Sequence, residues 1–144
     1  MKIIISGSSK LSKQVIDWKN YFQELGYQVL DHPKLIHPNK IKEELPKVYQ
    51  EFYKNLEQTD IFFLMNEDKN DIVGYIGPNM YAELTYAIMQ NLIHHKNIKI
   101  YLLKMPNKNV SCYDEINFYL EIGWIQLYQK DTKKINKKEI TKKF

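Results

Sequence analysis

Apolar residues along the chain fall into short runs that alternate with longer stretches of helical spacing. Residues 2–6 open with Ile3-Ile4-Ile5 and turn polar at Ser6, a short strand followed by the small-residue turn 6–9. Ser12 can cap a helix reaching about residue 25, and Gly26 ends it. Residues 28–31 make a second strand closed by His32-Pro33. A polar loop containing His37-Pro38 then leads to a helix over about 39–58, in which Pro46 marks a break or a second start. The run Ile61-Phe62-Phe63-Leu64-Met65-Asn66 is continuously apolar up to its last residue, as expected of a strand buried on both faces. A central helix over about 80–94, a strand over 98–103, a helix over 113–121 and a last strand over 124–128 complete the pattern.

Five strands interleaved with helices predict an α/β fold. The arrangement is a single doubly wound domain, Rossmann-like or flavodoxin-like, with a five-stranded parallel sheet and helices on both faces. In such sheets the ligand crevice lies outside the carboxyl ends of the strands. Three loops should meet there: residues 6–9, 66–79 and 104–111. The longest of them delivers the central helix. Gly74 and Gly77 free its backbone, Pro78 suits a helix start, and Asn79 is a good N-cap, so the helix is expected to begin near Met80. Ala82, Tyr86, Met89 and Ile93 then fall at spacings of three and four and predict its buried stripe. Glu83 lies one position off that stripe. Near the positive end of the helix dipole it is expected to stay ionised, which suits a nucleophile, although acids are common in first helical turns for structural reasons alone.

Size and composition narrow the picture. The chain has 144 residues, 44% of them hydrophobic and 13% aromatic, enough for one compact core. We divide it into a domain over 1–129 and a lysine-rich tail over 130–144. The absence of a long apolar run and of a signal-like start predicts neither a membrane span nor a signal peptide. The single cysteine, Cys112, rules out an internal disulfide, and a cytoplasmic protein is the expectation.

The net charge of +4 is not spread evenly. The tail holds seven of the 21 lysines and only two acids, and the remaining body is close to neutral. A basic groove for nucleic acid is therefore not predicted in the body. All 21 cationic side chains are lysines, so a phosphate must be held by lysine, hydroxyls, backbone N–H groups or a helix start.

The candidate chemistry concentrates at the three loops. The turn Ser6-Gly7-Ser8-Ser9 can wrap a phosphate or sugar, but it lacks the spacing of a P-loop, and no Gly-x-Gly-x-x-Gly follows the first strand. Nucleoside triphosphate hydrolysis and dinucleotide oxidoreduction are disfavoured. His32, His37, His94 and His95 show no ligand spacing, so neither a metal nor a cofactor is expected, and His94 and His95 fit the end of the central helix. Tyr49, Phe52, Tyr53 and Leu56, at helical spacing, fit a core face better than a stacking platform. Glu67, Asp68 and Asp71 lie in the loop leading to Glu83. Two carboxyl groups about 5 Å apart are what a retaining glycosyl transfer needs, so Asp68 or Asp71 is the candidate partner of Glu83.

The succession Gln58-Thr59-Asp60-Ile61-Phe62-Phe63-Leu64-Met65-Asn66, a glycine-bearing loop, Tyr81-Ala82-Glu83-Leu84-Thr85-Tyr86-Ala87 and Asn97-Ile98-Lys99-Ile100-Tyr101-Leu102 resembles the nucleoside 2-deoxyribosyltransferase superfamily. That superfamily includes small deoxynucleoside monophosphate N-glycosidases. The spacing of Gly77, Glu83, Tyr86 and Ala87 and the opening Ile-Ser-Gly-Ser turn carry the likeness as well, which spans roughly residues 2–105. It implies a covalent mechanism with Glu83 as nucleophile toward a 2-deoxyribosyl group, and a nucleoside or nucleotide as the small-molecule partner. Ser6, Gly7, Ser8, Ser9, Asn66, Gly77, Asn79 and Tyr81 are the candidate binding residues, and a homo-oligomer with shared sites is implied too. The chain departs from the transferases in having Gly77-Pro78-Asn79 where they carry an aspartate shortly before the glutamate; only Asp68 or Asp71, further upstream, stands in. Two alternatives stand beside this reading: a non-catalytic nucleotide-binding or sensing module of the same fold, and a nucleic-acid protein using the lysine tail.

Overall fold

The computed structural model describes residues 1–130; the tail from residue 131 onward lies outside the described residues. Five strands form one sheet: β1 (Lys2–Gly7), β2 (Gln28–Asp31), β3 (Ile61–Met65), β4 (Lys99–Leu102) and β5 (Gln126–Leu127). Their order is β2-β1-β3-β4-β5 and every pairing is parallel. The helices between them are α1 (Ser12–Glu24), α2 (Ile41–Gln58), α3 (Pro78–His94) and α4 (Tyr113–Ile122). This is the predicted α/β architecture, with the last strand shortened to two residues.

Strand alternation assigns the two faces. Ile4, Phe62 and Leu64 point to a core shared with Phe52 and Leu56 of α2, several apolar residues of α3, and Ile116 of α4. Ile3, Ile5, Phe63 and Met65 point the other way, onto Val15 and Phe22 of α1. All five residues of β3 are buried, as its uninterrupted apolar run requires.

Helix α3 departs from expectation in three ways. It begins at Pro78, with Gly77 as N-cap and no side-chain cap, so Asn79 lies inside the first turn. Proline at the first helical position loses no hydrogen bond and brings the right φ, which is why the start precedes Asn79. The buried side consists of Met80, Leu84, Ala87 and Ile88. The stripe expected to be buried is largely outside: Ala82 is exposed, Met89 is 40% exposed and Ile93 is 61% exposed. The helix is apolar on most sides, so spacing alone fits two faces, and contact with the sheet selects the other one. His94 ends the helix and His95 follows in the left-handed conformation, φ +54°.

Two smaller corrections concern caps and breaks. Leu11, not Ser12, precedes α1 as its cap residue. A single 3-10 turn, Pro38–Lys40, leads into α2, which then runs unbroken through Pro46. Pro46 and Lys42, whose carbonyl loses its partner, are both exposed, so water replaces that one bond.

The loop from β3 to α3 is fastened to the β4–α4 loop. Gly74 adopts φ +64°, and a Cβ there would lie 2.8 Å from Pro106 Cα and 2.9 Å from Met105 O. Only glycine fits this contact. The Asn107 N–H donates to Val73 O at 2.8 Å.

Candidate active site

A cavity of about 370 Å³ opens at the carboxyl ends of β1, β2 and β3. Ser6, the sixth residue of the chain and next to last of β1, is fully buried, and its Oγ–H donates to Glu83 Oε1 at 3.2 Å. Glu83 stands in the second turn of α3, one turn from Met80 and one from Ala87 on the buried side, so its carboxyl is aimed inward at the end of the sheet. It is the one acid among the described residues lining the cavity.

Burial pushes the Glu83 carboxyl up to about 8, against a weaker opposing effect of the Ser6 hydrogen bond; the negative charge of Asp31 adds to the rise. The expectation of an ionised carboxylate is thereby corrected. Desolvation outweighs a helix dipole whose influence fades after the first turn, and at pH 7 only about a tenth of the free protein carries the anion.

Asp31, at the end of β2, is a residue that the sequence reading passed over. It is 4% exposed, accepts from the His32 N–H at 2.8 Å and from Asn55 Nδ2 at 3.1 Å, and pairs with Lys34 at 3.4 Å. These partners hold the side chain in place beside His32 and Lys34, which line the cavity. Tyr53 is also tied to the site: burial, followed by the charge of Glu83, raises its phenol.

One end of the cavity is rich in hydroxyls and cations. The turn residues Gly7, Ser8 and Ser9 line it together with Lys10 and Lys69. Lys69 Nζ donates to Ser8 Oγ at 2.9 Å and lies 4.7 Å from the centre of the Tyr75 ring. Lys69 was not among the sequence candidates; that it is the single cation in the long loop 66–79 is the signal that could have found it. Gly77 and Asn79 complete this side. Another wall comes from α2, where Tyr49, Phe52 and Tyr53 line the cavity, while Leu56 lies in the core, which Phe52 joins as well. The face read as core is therefore divided along the helix between core and cavity.

The structure brings Ser6, Gly7, Ser8, Ser9, Gly77, Asn79 and Glu83 together, and leaves four other candidates elsewhere. Asp68 is exposed and accepts from the Gly74 N–H at 3.0 Å and from Lys104 Nζ at 3.1 Å, which hold its carboxyl below its ordinary value. Asp71, φ +62°, sits exposed in a tight turn closed by the Lys69 and Ile72 bridge. Asn66 is fully buried and spends both ends of its amide on backbone. Tyr81 meets Tyr119 of α4, hydroxyl to hydroxyl at 2.8 Å. The neighbouring Glu67 accepts from Trp18 Nε1 at 2.9 Å. Apart from the turn that holds Asp71, these partners lie at least six residues away and most lie on another element, so local spacing cannot foresee them.

No cluster of three or more metal-ligating side chains occurs among the described residues, and no helix there is long and apolar enough to cross a membrane.

No protein-family model and no curated protein matches the chain. Among solved structures, the CMP N-glycosidase BcmB of Clostridium botulinum is similar in fold, with a TM-score of 0.56 over 97% of this chain and 99% of that one, at 14% sequence identity. At that identity the likeness shows a shared α/β fold, matching the five-stranded parallel sheet described above.

Proposed function

We propose that the protein cleaves the N-glycosidic bond of 2-deoxyribonucleosides and their 5′-monophosphates, with Glu83 as the nucleophile. The observation that carries this reading is a lone carboxyl, held by Ser6, on the floor of a cavity whose rim offers hydroxyls and cations for a sugar phosphate. The sequence resemblance and the fold shared with an N-glycosidase support it. In the reaction the ionised Glu83 oxygen bonds to the anomeric carbon. The carbon–nitrogen bond breaks with its electron pair going to the base, which takes a proton from water. A water molecule then adds to the same carbon, the glutamate regains its electron pair, and the spare proton passes to solvent. A second base in place of water gives transfer instead of hydrolysis.

The Ser6 hydroxyl steadies the anion, and burial keeps it poorly solvated and hence reactive. Because the nucleophile must be ionised and its pKa is raised to about 8, kcat/KM is expected to climb about tenfold per pH unit up to about pH 7, more slowly beyond it, and to level off above about pH 8. A profile that falls over that range would assign Glu83 the opposite role, a proton donor.

Lys69 and Ser8 mark the phosphate end. Lys69→Met is expected to lower kcat/KM for monophosphates by about 10- to 100-fold, the loss of one charge-assisted contact, while changing that for the free nucleosides less than threefold or so. Equal losses on both substrates would remove the phosphate from this end. A non-catalytic nucleotide-binding module is favoured by one observation, the absence of a second acid among the described lining residues; nucleotide binding without any base release selects it. The homo-oligomer belongs to the same proposal. The stripe of Ala82, Met89 and Ile93 starts one turn beyond Asn79 at the cavity, so a second copy seated on it would cover exposed apolar surface beside the site. Sedimentation of the wild type and of Met89→Glu should then show an oligomer and a monomer, respectively; a monomeric wild type would refute it.

A further inference from the structure

The sugar and phosphate assignments leave the rest of the cavity for the base, and that part differs in chemistry from the rim. It is walled by Ile36, Ile41, Leu45, Val48, Tyr49 and Phe52. The five residues on α2 recur at spacings of four, three, one and three, a single helical face. Of that face only Phe52 joins the core cluster, while Ile41 remains 45% and Tyr49 39% exposed. An apolar face that the fold leaves wet at a cavity wall gains from an occupant that covers it.

Most polar groups near this wall are already engaged or are unselective, the ring Nε2 of His32 being the exception. The ring Nδ1 of His32 contacts Pro33 O at 3.0 Å. Lys34 pairs with Asp31 at 3.4 Å and with Glu51 at 3.5 Å. The hydroxyls of Tyr49 and Tyr53 rotate and both donate and accept, so they impose no fixed pattern. The one side-chain amide lining the cavity, Asn79, belongs to α3 and shares the rim with Gly77 and Pro78. A hydrogen-bonding site rejects a ligand lacking the matching group by about 10⁴- to 10⁵-fold, whereas an apolar pocket separates ligands by only about 10- to 200-fold.

We propose that this wall selects the base by shape and stacking, not by hydrogen-bond readout, so that the protein accepts nucleotides whose bases lack the usual polar edge or carry added apolar groups. This rests on the reading of the cavity as a nucleotide site. Binding separates recognition from the ease with which each base leaves, so the test is isothermal titration of Glu83→Gln, and of Glu83→Ala as a second background. The ligands are the four common 2-deoxyribonucleoside 5′-monophosphates and the corresponding benzimidazole nucleotide. The five dissociation constants are expected to fall within about 100-fold of one another. Adding Tyr49→Phe or Asn79→Ala should leave their ratios within about threefold. A spread wider than 100-fold, or a ratio that collapses in either added variant, overturns the shape-selection proposal while leaving the nucleotide site intact. Failure of all five to bind in both backgrounds overturns the nucleotide reading and this proposal together.

Discussion

Glu83→Gln is expected to abolish base release, with kcat/KM falling at least about 10³-fold while the fold is retained. The amide keeps the volume of the side chain and can still accept from the Ser6 hydroxyl, so the geometry at 3.2 Å survives and only the nucleophile is lost. Stability supplies an internal control. The folded pKa of about 8 lies above the value of an exposed glutamate, so the folded protein holds this proton more tightly than the unfolded chain does. Relative to the variant, the wild type therefore loses stability as pH rises from about 4.5 to about 8, the window between the two values. Glutamine has no such proton, and at pH 8 the variant should melt at or above the temperature of the wild type. Activity retained within tenfold would remove Glu83 from the chemistry, and a large drop in melting temperature would make the activity loss uninformative about mechanism.

The second large effect is structural and falls on Asn66. Its Nδ2 donates to Lys104 O at 2.7 Å and Gly74 O at 3.4 Å; its Oδ1 accepts from the N–H groups of Leu103 at 3.1 Å and Lys104 at 3.3 Å. One buried amide thus ties the end of β3 to the two loops that follow β3 and β4. Asn66→Ala takes the side-chain partner from the Lys104 N–H and from the Lys104 and Gly74 carbonyls, while the Leu103 N–H keeps its bond to Leu64 O at 3.1 Å, at a cost of about 3 kcal/mol. The melting temperature should drop by on the order of 10 °C. The loop from β3 to α3 also carries Lys69, so monophosphate turnover should weaken beyond the effect on nucleosides. A drop of less than about 3 °C would show that water satisfies the orphaned groups and that the loops are held by other contacts.

The contrast between Asn66 and Glu83 shows where sequence reading reached and where it stopped. The five strands, their parallel arrangement and the crevice at their carboxyl ends follow from runs such as Ile61–Met65 and from the alternation of Ile3, Ile4 and Ile5, which are local patterns with one physical outcome. The turn 6–9 and Glu83 were legible because a strand-to-helix turn and an early helical acid converge in such a sheet wherever its loops lead. Partners chosen by the folded loops were not legible. Asp68 is claimed by Lys104, 36 residues later, and Tyr81 by Tyr119, 38 residues later. Nor does a helix that is apolar on most sides reveal which stripe meets the sheet, as Met89 and Ile93 show. The ionisation of Glu83 was misread for a related reason, since burial is a property of the assembled cavity and the helix dipole is a property of the helix alone.

The central claim is a covalent glycosyl-glutamate at Glu83, and its stereochemical consequence is measurable. Two successive displacements at the anomeric carbon restore its configuration, whereas a single displacement inverts it. A 2′-deoxyribonucleotide is cleaved in the presence of methanol and the methyl glycoside, which cannot mutarotate, is examined by NMR. The β-methyl product, the configuration of the starting nucleotide, is predicted. The α product would contradict the covalent intermediate and assign Glu83 to activating the acceptor.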